Sequence, residues 1–179
     1  MKPGEDMEQY APFHISVAAT AVHGGEERIW YSEEEGKPAL HLSQLRAHEL
    51  LEYLDEMQQQ DYIVCAWNGL SFDLKWIGHQ ANDMALAAKI ALKSYDPMFQ
   101  FFNIAGFPVG LAKVAQSMGV TQEKLMDGAD APQQWCDGNH QLVMDYCLGD
   151  CQMTNQIVLA IQEAKAVKWV TARGKTSSK

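Results

Sequence analysis

Two acidic residues stand where folding alone does not ask for an acid. The first is Asp73, which closes the stretch Trp67-Asn-Gly-Leu-Ser-Phe-Asp73, just past the apolar run Tyr62-Ile-Val-Cys-Ala-Trp67. Ser71 reads as an N-cap for a following helix, and an acid in a first helical turn suits the helix dipole. Turn chemistry does not require the acid itself. The second is Asp150, in Tyr146-Cys-Leu-Gly-Asp150. Tyr146 and Asp150 are four residues apart, so a helix places them on one face. They flank an apolar stripe of Val143, Cys147, Thr154, Val158 and Ile161. Gly149 in mid-helix costs about 1 kcal/mol against alanine, and one use for it is close approach to a backbone or ligand. Taken alone, a tyrosine and an acid at this spacing describe a solvated helix face. Taken with Asp73, that description no longer suffices, and an acidic site that takes up metal ions is compatible with such residues.

The bulk numbers bound what such a site serves. The 179 residues suffice for one domain with a sizeable core, and 47% apolar with 21% charged residues is ordinary for a globular chain. A net charge of −9 and a pI near 5.0 argue against binding nucleic acid through a broad basic surface. No apolar run is long enough to span a bilayer, and Met1-Lys-Pro-Gly-Glu-Asp lacks a signal-peptide core, so a cytoplasmic location away from membranes is expected. Cys65, Cys136, Cys147 and Cys151 form no C-x-x-C pair and read as reduced thiols packed like small hydrophobes. The six histidines have no metal-ligand spacing with one another.

The elements that must position the acids follow from pattern. Residues 1–12 read as a loop, 13–172 as one domain and 173–179 as a frayed basic tail. Phe13 to Val22 and Arg28 to Ser32 predict antiparallel strands around a His23-Gly-Gly-Glu26 turn. Residues 33–42 read as loop. Ser43 caps a helix to about Gln59, with a stripe of Leu45, Leu50, Leu51, Leu54 and Met57. Tyr62 to Trp67 predicts a central parallel strand, apolar on both faces. Helices are expected near 72–80, 82–93 and 110–118, a loop over 129–138, a long helix over 139–164 and a short strand over 168–171. The order is that of an α/β layered domain.

Trp67-Asn-Gly-Leu-Ser-Phe-Asp73 and Tyr146-Cys-Leu-Gly-Asp-Cys-Gln-Met-Thr154 together resemble the second and third motifs of the tyrosine-containing DEDD exonucleases. Asp96-Pro-Met-Phe99, Gly106-Phe-Pro-Val-Gly-Leu111, Lys124-Leu-Met-Asp-Gly128 and Trp135 fit between them, and the resemblance covers roughly residues 10–175. It is closest to a bacterial branch related to family B polymerase exonuclease domains. The resemblance implies an RNase H-like mixed sheet flanked by helices, and 3′–5′ removal of nucleotides from single-stranded DNA or RNA ends by two-metal phosphodiester hydrolysis. Mg²⁺ or Mn²⁺ is the implied cofactor. By the same resemblance, Asp150 binds metal directly, Asp73 binds it directly or through water, and Tyr146 orients the attacking water. Asn68 holds the turn or contacts substrate. Phe72 wedges against a terminal base or is plain core. Asp96 caps a helix before Pro97 or joins the metal site, and Lys124 touches a phosphate or is solvated.

The family's first motif, D-x-E on the first strand, supplies the other two metal ligands. The nearby match is Asp6-Met-Glu8, but Pro3 and Gly4 precede it and no apolar strand surrounds it. Tyr10 to Thr20 aligns instead with the segment just after that motif. The expectation is therefore a sheet lacking its first, central strand, and a chain that binds two metals only if the motif is supplied. The alternative is a silent RNase H-like module that binds nucleic acid or a partner protein. The acidic surface predicts weak, salt-sensitive binding or delivery by a partner protein.

Overall fold

The computed structural model describes residues 11–120, 125–171 and 173–179, so Asp6, Glu8 and Lys124 lie outside the described residues. The first hairpin forms as expected but is shorter. Strand β1 (Ala18–Ala21) pairs antiparallel with β2 (Glu27–Trp30), with Ala18 opposite Trp30 and Ala21 opposite Glu27. A second, two-residue hairpin of β3 (Glu33–Glu34) and β4 (Lys37–Pro38) lies in the stretch read as loop. Its tip explains it: Glu35 and Gly36 both take positive φ, 53° and 77°, as a two-residue hairpin turn requires.

Helix α1 (Gln44–Gln59) starts where Ser43 accepts a hydrogen bond from the Arg46 amide at 3.1 Å. It buries Ala47, Leu50, Leu51 and Tyr53, whereas Leu45, expected in the stripe, is 70% exposed. Helices α2 (Asp73–Ala81) and α3 (Met84–Ala91) pack on α1, and Leu50, Leu51, Ile77 and Ile90 fill the space between them. Between Tyr95 and Gly106 the sequence reading missed α4 (Pro97–Ala105). The signal was present: Asp96 caps it, Pro97 sits at its first position and Gly106 closes it at φ 81°. Helix α5 (Leu111–Met118) follows.

The stretch 129–138, read as loop, holds a 3₁₀ turn (Gly128–Asp130) and α6 (Ala131–Cys136), whose Pro132 lies in the first turn where a missing N–H does no harm. The long helix α7 (His140–Ala164) matches its expected span and packs along β1. Strand β5 (Lys168–Val170) pairs with β6 (Thr176–Ser178), so the closing residues, read as frayed, are tied down. A second core of Phe101, Val114, Ile157 and Trp169 joins α4, α5, α7 and β5. The architecture is mixed α/β, with seven α-helices and three two-stranded sheets among the described residues.

The main departure from the sequence reading is at residues 62–67. They form no ladder. Cys65 makes a single parallel bridge to Tyr95, through Tyr95 N–H to Val64 O at 2.8 Å and Ala66 N–H to Tyr95 O at 3.2 Å. The direction is the one expected of a parallel strand, but among the described residues a neighbour stands on one side only. Strand β1 is open in the same way. Val22 N–H bonds to Glu26 O across the hairpin, so by alternation Ala19 and Ala21 turn their peptide groups away from β2. Their carbonyls accept from Cys151 Sγ (3.3 Å) and Asn155 Nδ2 (2.9 Å) on α7 instead of from a strand. Between these two open edges lies a cavity of about 640 Å³, walled by residues of 17–22 on one side and 62–67 on the other.

Candidate active site

The 62–67 segment hands its chain to a tight turn. Trp67 anchors the entry by donating its indole N–H to Val109 O at 2.9 Å. Asn68 then adopts φ 66°, a left-handed conformation that asparagine tolerates better than most residues. Its side-chain oxygen accepts from the Ser71 hydroxyl. Ser71 is thereby used inside the turn and does not cap α2. Phe72 holds the cap position, with no side-chain cap bond. Phe72 N–H bonds back to Asn68 O (3.1 Å) and Leu74 N–H to Gly69 O (3.0 Å), which leaves Asp73 as the first helical residue. Gly69 permits this path: a Cβ there would lie 2.3 Å from Ala66 Cβ and 3.6 Å from Asp73 Oδ2. The half-buried Phe72 ring packs on Phe13 at 5.4 Å, and Phe13 in turn meets Trp76 edge-on at 5.0 Å.

Asp96 is buried. Its Oδ1 accepts from Phe99 N–H at 3.0 Å, so it caps the start of α4, not the end of the helix before Pro97 as the sequence suggested. It also accepts from the Asn68 amide (Oδ1, 3.1 Å) and the Leu70 amide (Oδ2, 3.1 Å), so it grips the turn as well.

Tyr146 and Asp150 share one face of α7, as their spacing predicted, and the Tyr146 hydroxyl is hydrogen-bonded to the Asp150 carboxylate. Asp73, Asp96, Tyr146 and Asp150 all line the cavity between the two open strand edges. Protein atoms crowd Asp73, yet its side chain stays open to water through that cavity. Crowding pushes its carboxyl up to about 6, with the charges of Asp96 and Asp150 adding to the effect. Burial raises the Asp150 carboxyl, while the Tyr146 hydroxyl opposes that rise. Burial, then the Asp150 charge, pushes the Tyr146 hydroxyl up, so it stays protonated and donates.

Two residues that the sequence reading gave no role in the site border it. Gly128 lies against the hydroxyl end of Tyr146, where a Cβ would lie 2.9 Å from the hydroxyl oxygen. The Asp127-Gly128 pair marks a turn, but nothing local says which side chain it must clear. Cys147 lies beside both acids, and burial together with the charges of Asp73 and Asp150 pushes its thiol up to about 12. It is a neutral packing residue, as the sequence reading had it, and the four thiols are free, although Cys136 is exposed.

The donors suit a hard divalent ion in kind, because carboxylate oxygens are what Mg²⁺ and Mn²⁺ take. A raised carboxyl value in a recess shared by like charges is also what a cation would relieve. In number they are a partial set: among the described residues no group of three or more His, Cys, Asp or Glu is arranged to hold a metal. Mg²⁺ is commonly held by one or two carboxylates with waters and substrate phosphates, and Asp73 with Asp150 fits that mode.

A mixed α/β fold whose acids gather at the end of a strand-like segment and on a long facing helix is RNase H-like. A family model of the RNase H superfamily matches residues 12–162, and the chain belongs to that superfamily. No curated protein and no solved structure matches it. Among the described residues, no helix is long and apolar enough to cross a membrane. Membership points to a nuclease or a nucleic-acid-binding module, and RNase H-like nucleases generally use divalent metals.

Proposed function

We propose that the chain is a metal-dependent 3′–5′ exonuclease acting on single-stranded DNA or RNA ends. The observation that carries this reading is the meeting of Asp73, Tyr146 and Asp150, from segments far apart in sequence, on the wall of one cavity. Asp73 and Asp150 would hold Mg²⁺ or Mn²⁺. A bound ion supplies an activated water and neutralises charge on the leaving oxygen. The residues then have distinct tasks. Tyr146, kept protonated, donates to Asp150, fixes the direction of that carboxylate and offers its hydroxyl to orient the incoming water. Asn68 shapes the turn that carries Asp73. Phe72 keeps a partly open ring next to the site, on which a terminal base can stack whatever its identity. The 3′–5′ polarity and single-strand preference rest on the likeness of the two motifs to DEDD exonucleases.

A second reading is a silent module that binds a strand or a partner protein without cutting. The two-carboxylate set favours it, since two acids alone bind Mg²⁺ weakly. One experiment separates the two readings. A 5′-labelled single-stranded oligonucleotide is incubated with the chain and Mn²⁺, beside Asp150→Asn. A ladder shortening from the 3′ end that the variant abolishes supports the exonuclease. Retention of an intact oligonucleotide supports the silent module.

A further inference from the structure

We infer that Asp96 is a positioning residue for Asp73, and that its carboxylate sets the geometry on which cation uptake by Asp73 and Asp150 depends. This rests on the proposed metal-dependent reading. Capping a helix needs one acceptor and one N–H. Asp96 does more, since it is only 3% exposed and both of its oxygens are engaged. Oδ1 serves Phe99 N–H of α4 and Asn68 N–H of the turn, while Oδ2 serves Leu70 N–H. The two turn amides are 28 and 26 residues away in sequence, so the contact is a tertiary clamp rather than a local cap.

The clamp acts on the turn itself, one residue beyond the Trp67 anchor at its entry. Helix α2 has no side-chain cap bond. The amides on either side of Asp73, those of Phe72 and Leu74, bond back to the carbonyls of Asn68 and Gly69. Gly69 O and Leu70 N–H belong to one peptide unit, so Asp96 fixes the plane that receives Leu74 N–H, and its bond to Asn68 N–H holds the unit that enters the turn. Gly69 lies close against Ala66, so a released turn has no room to move toward that residue. A carboxylate is the fitting residue type: it offers acceptors only, and three N–H groups face it.

Two variants test this in the full chain. Asp96→Ser keeps a hydroxyl that can cap Phe99 but cannot span to Asn68 and Leu70. Asp96→Asn keeps the size and replaces one acceptor oxygen with a donor facing an N–H. Amide hydrogen exchange at Asn68 and Leu70 should quicken at least ~10-fold in both variants, while α4 stays protected in Asp96→Ser. Mn²⁺ affinity, read by electron paramagnetic titration with no substrate present, should fall about 10-fold in both. Wild-type Mn²⁺ affinity in Asp96→Ser, or unchanged exchange at Asn68 and Leu70, overturns the inference. Wild-type chain that takes up no Mn²⁺ through Asp73 sinks the metal-dependent reading instead. The carboxyl ¹³C shift of Asp73 then decides: displacement in Asp96→Ser supports positioning, and coincidence with wild type overturns it.

Discussion

The block of α1, α2 and α3 and the seam between β1 and residues 62–67 are neighbours built from similar side chains, yet they close differently. In the block, Ala47, Leu50, Leu51 and Ile90 are at most 1% exposed. At the seam, Ile63 is 72% exposed and a cavity of about 640 Å³ remains. The difference lies in the backbone. A helix satisfies its own peptide groups, so three amphipathic helices can shut on one another with nothing else present. A strand must find partners for its peptide groups on both sides. Among the described residues, strand β1 finds one strand and then uses Cys151 and Asn155 of α7, while residues 63–66 make a single bridge to Tyr95. The candidate acids stand on the seam, and the block supplies their rigid support.

That contrast can be broken most directly at its functional end. Asp150→Asn should lower any Mn²⁺-dependent exonuclease activity on the order of 1,000-fold, because the charge that holds the cation is gone while the helix is not. Thermal melting should barely move. Activity surviving within a few-fold of wild type would place the chemistry away from the seam.

Next comes a pair of isoleucines. Ile90→Ala should cost about 2–5 kcal/mol in urea unfolding, since Ile90 is fully buried in the block. Ile63→Ala at the exposed seam should stay within about 0.5 kcal/mol of wild type. Equal costs would mean that the seam is as tightly closed as the block.

A smaller effect is expected at the turn. Gly69→Ala forces a Cβ to 2.3 Å from that of Ala66 and should destabilise by about 1–3 kcal/mol, with a loss of Mn²⁺ affinity larger than the stability change explains. Unchanged affinity would show that the turn can shift without moving Asp73.

The mildest test is pH. The Asp73 carboxyl is pushed from its ordinary 3.8 up to about 6, so the folded chain takes up this proton more readily than the unfolded chain. The stability this brings is fully present below about 3.8 and is lost as pH rises through about 6. Unfolding of metal-free chain between pH 4 and about 7 should therefore show a component that falls with rising pH and is absent in Asp73→Asn. Saturating Mn²⁺ should remove it too, because the cation favours the charged form. A component of opposite sign would refute the crowding assigned to Asp73.

Much of this was legible along the chain. Ser43 and the leucine stripe marked α1, the Gly-Gly turn marked the first hairpin, and Tyr146 and Asp150 at helical spacing do share a face. These are local matters, decided by which residues recur at 3.6 or at 2 and by what caps an end. The Asp96-Pro97 start of α4 was equally local and was simply passed over. The 62–67 run misled for a physical reason: its apolar residues state that it is to be buried, but a ladder needs neighbours, and those belong to other parts of the chain. Ser71 misled likewise, because its hydroxyl had two partners in reach and Asn68 took it. The residue types at the site, the helices that carry them and the α/β class are written along the chain, in local periodicity and caps. That Asp73 and Asp150 share a cavity, that Asp96 clamps the turn leading to Asp73, and that two strand edges stand open among the described residues each depends on groups distant in sequence competing for one space.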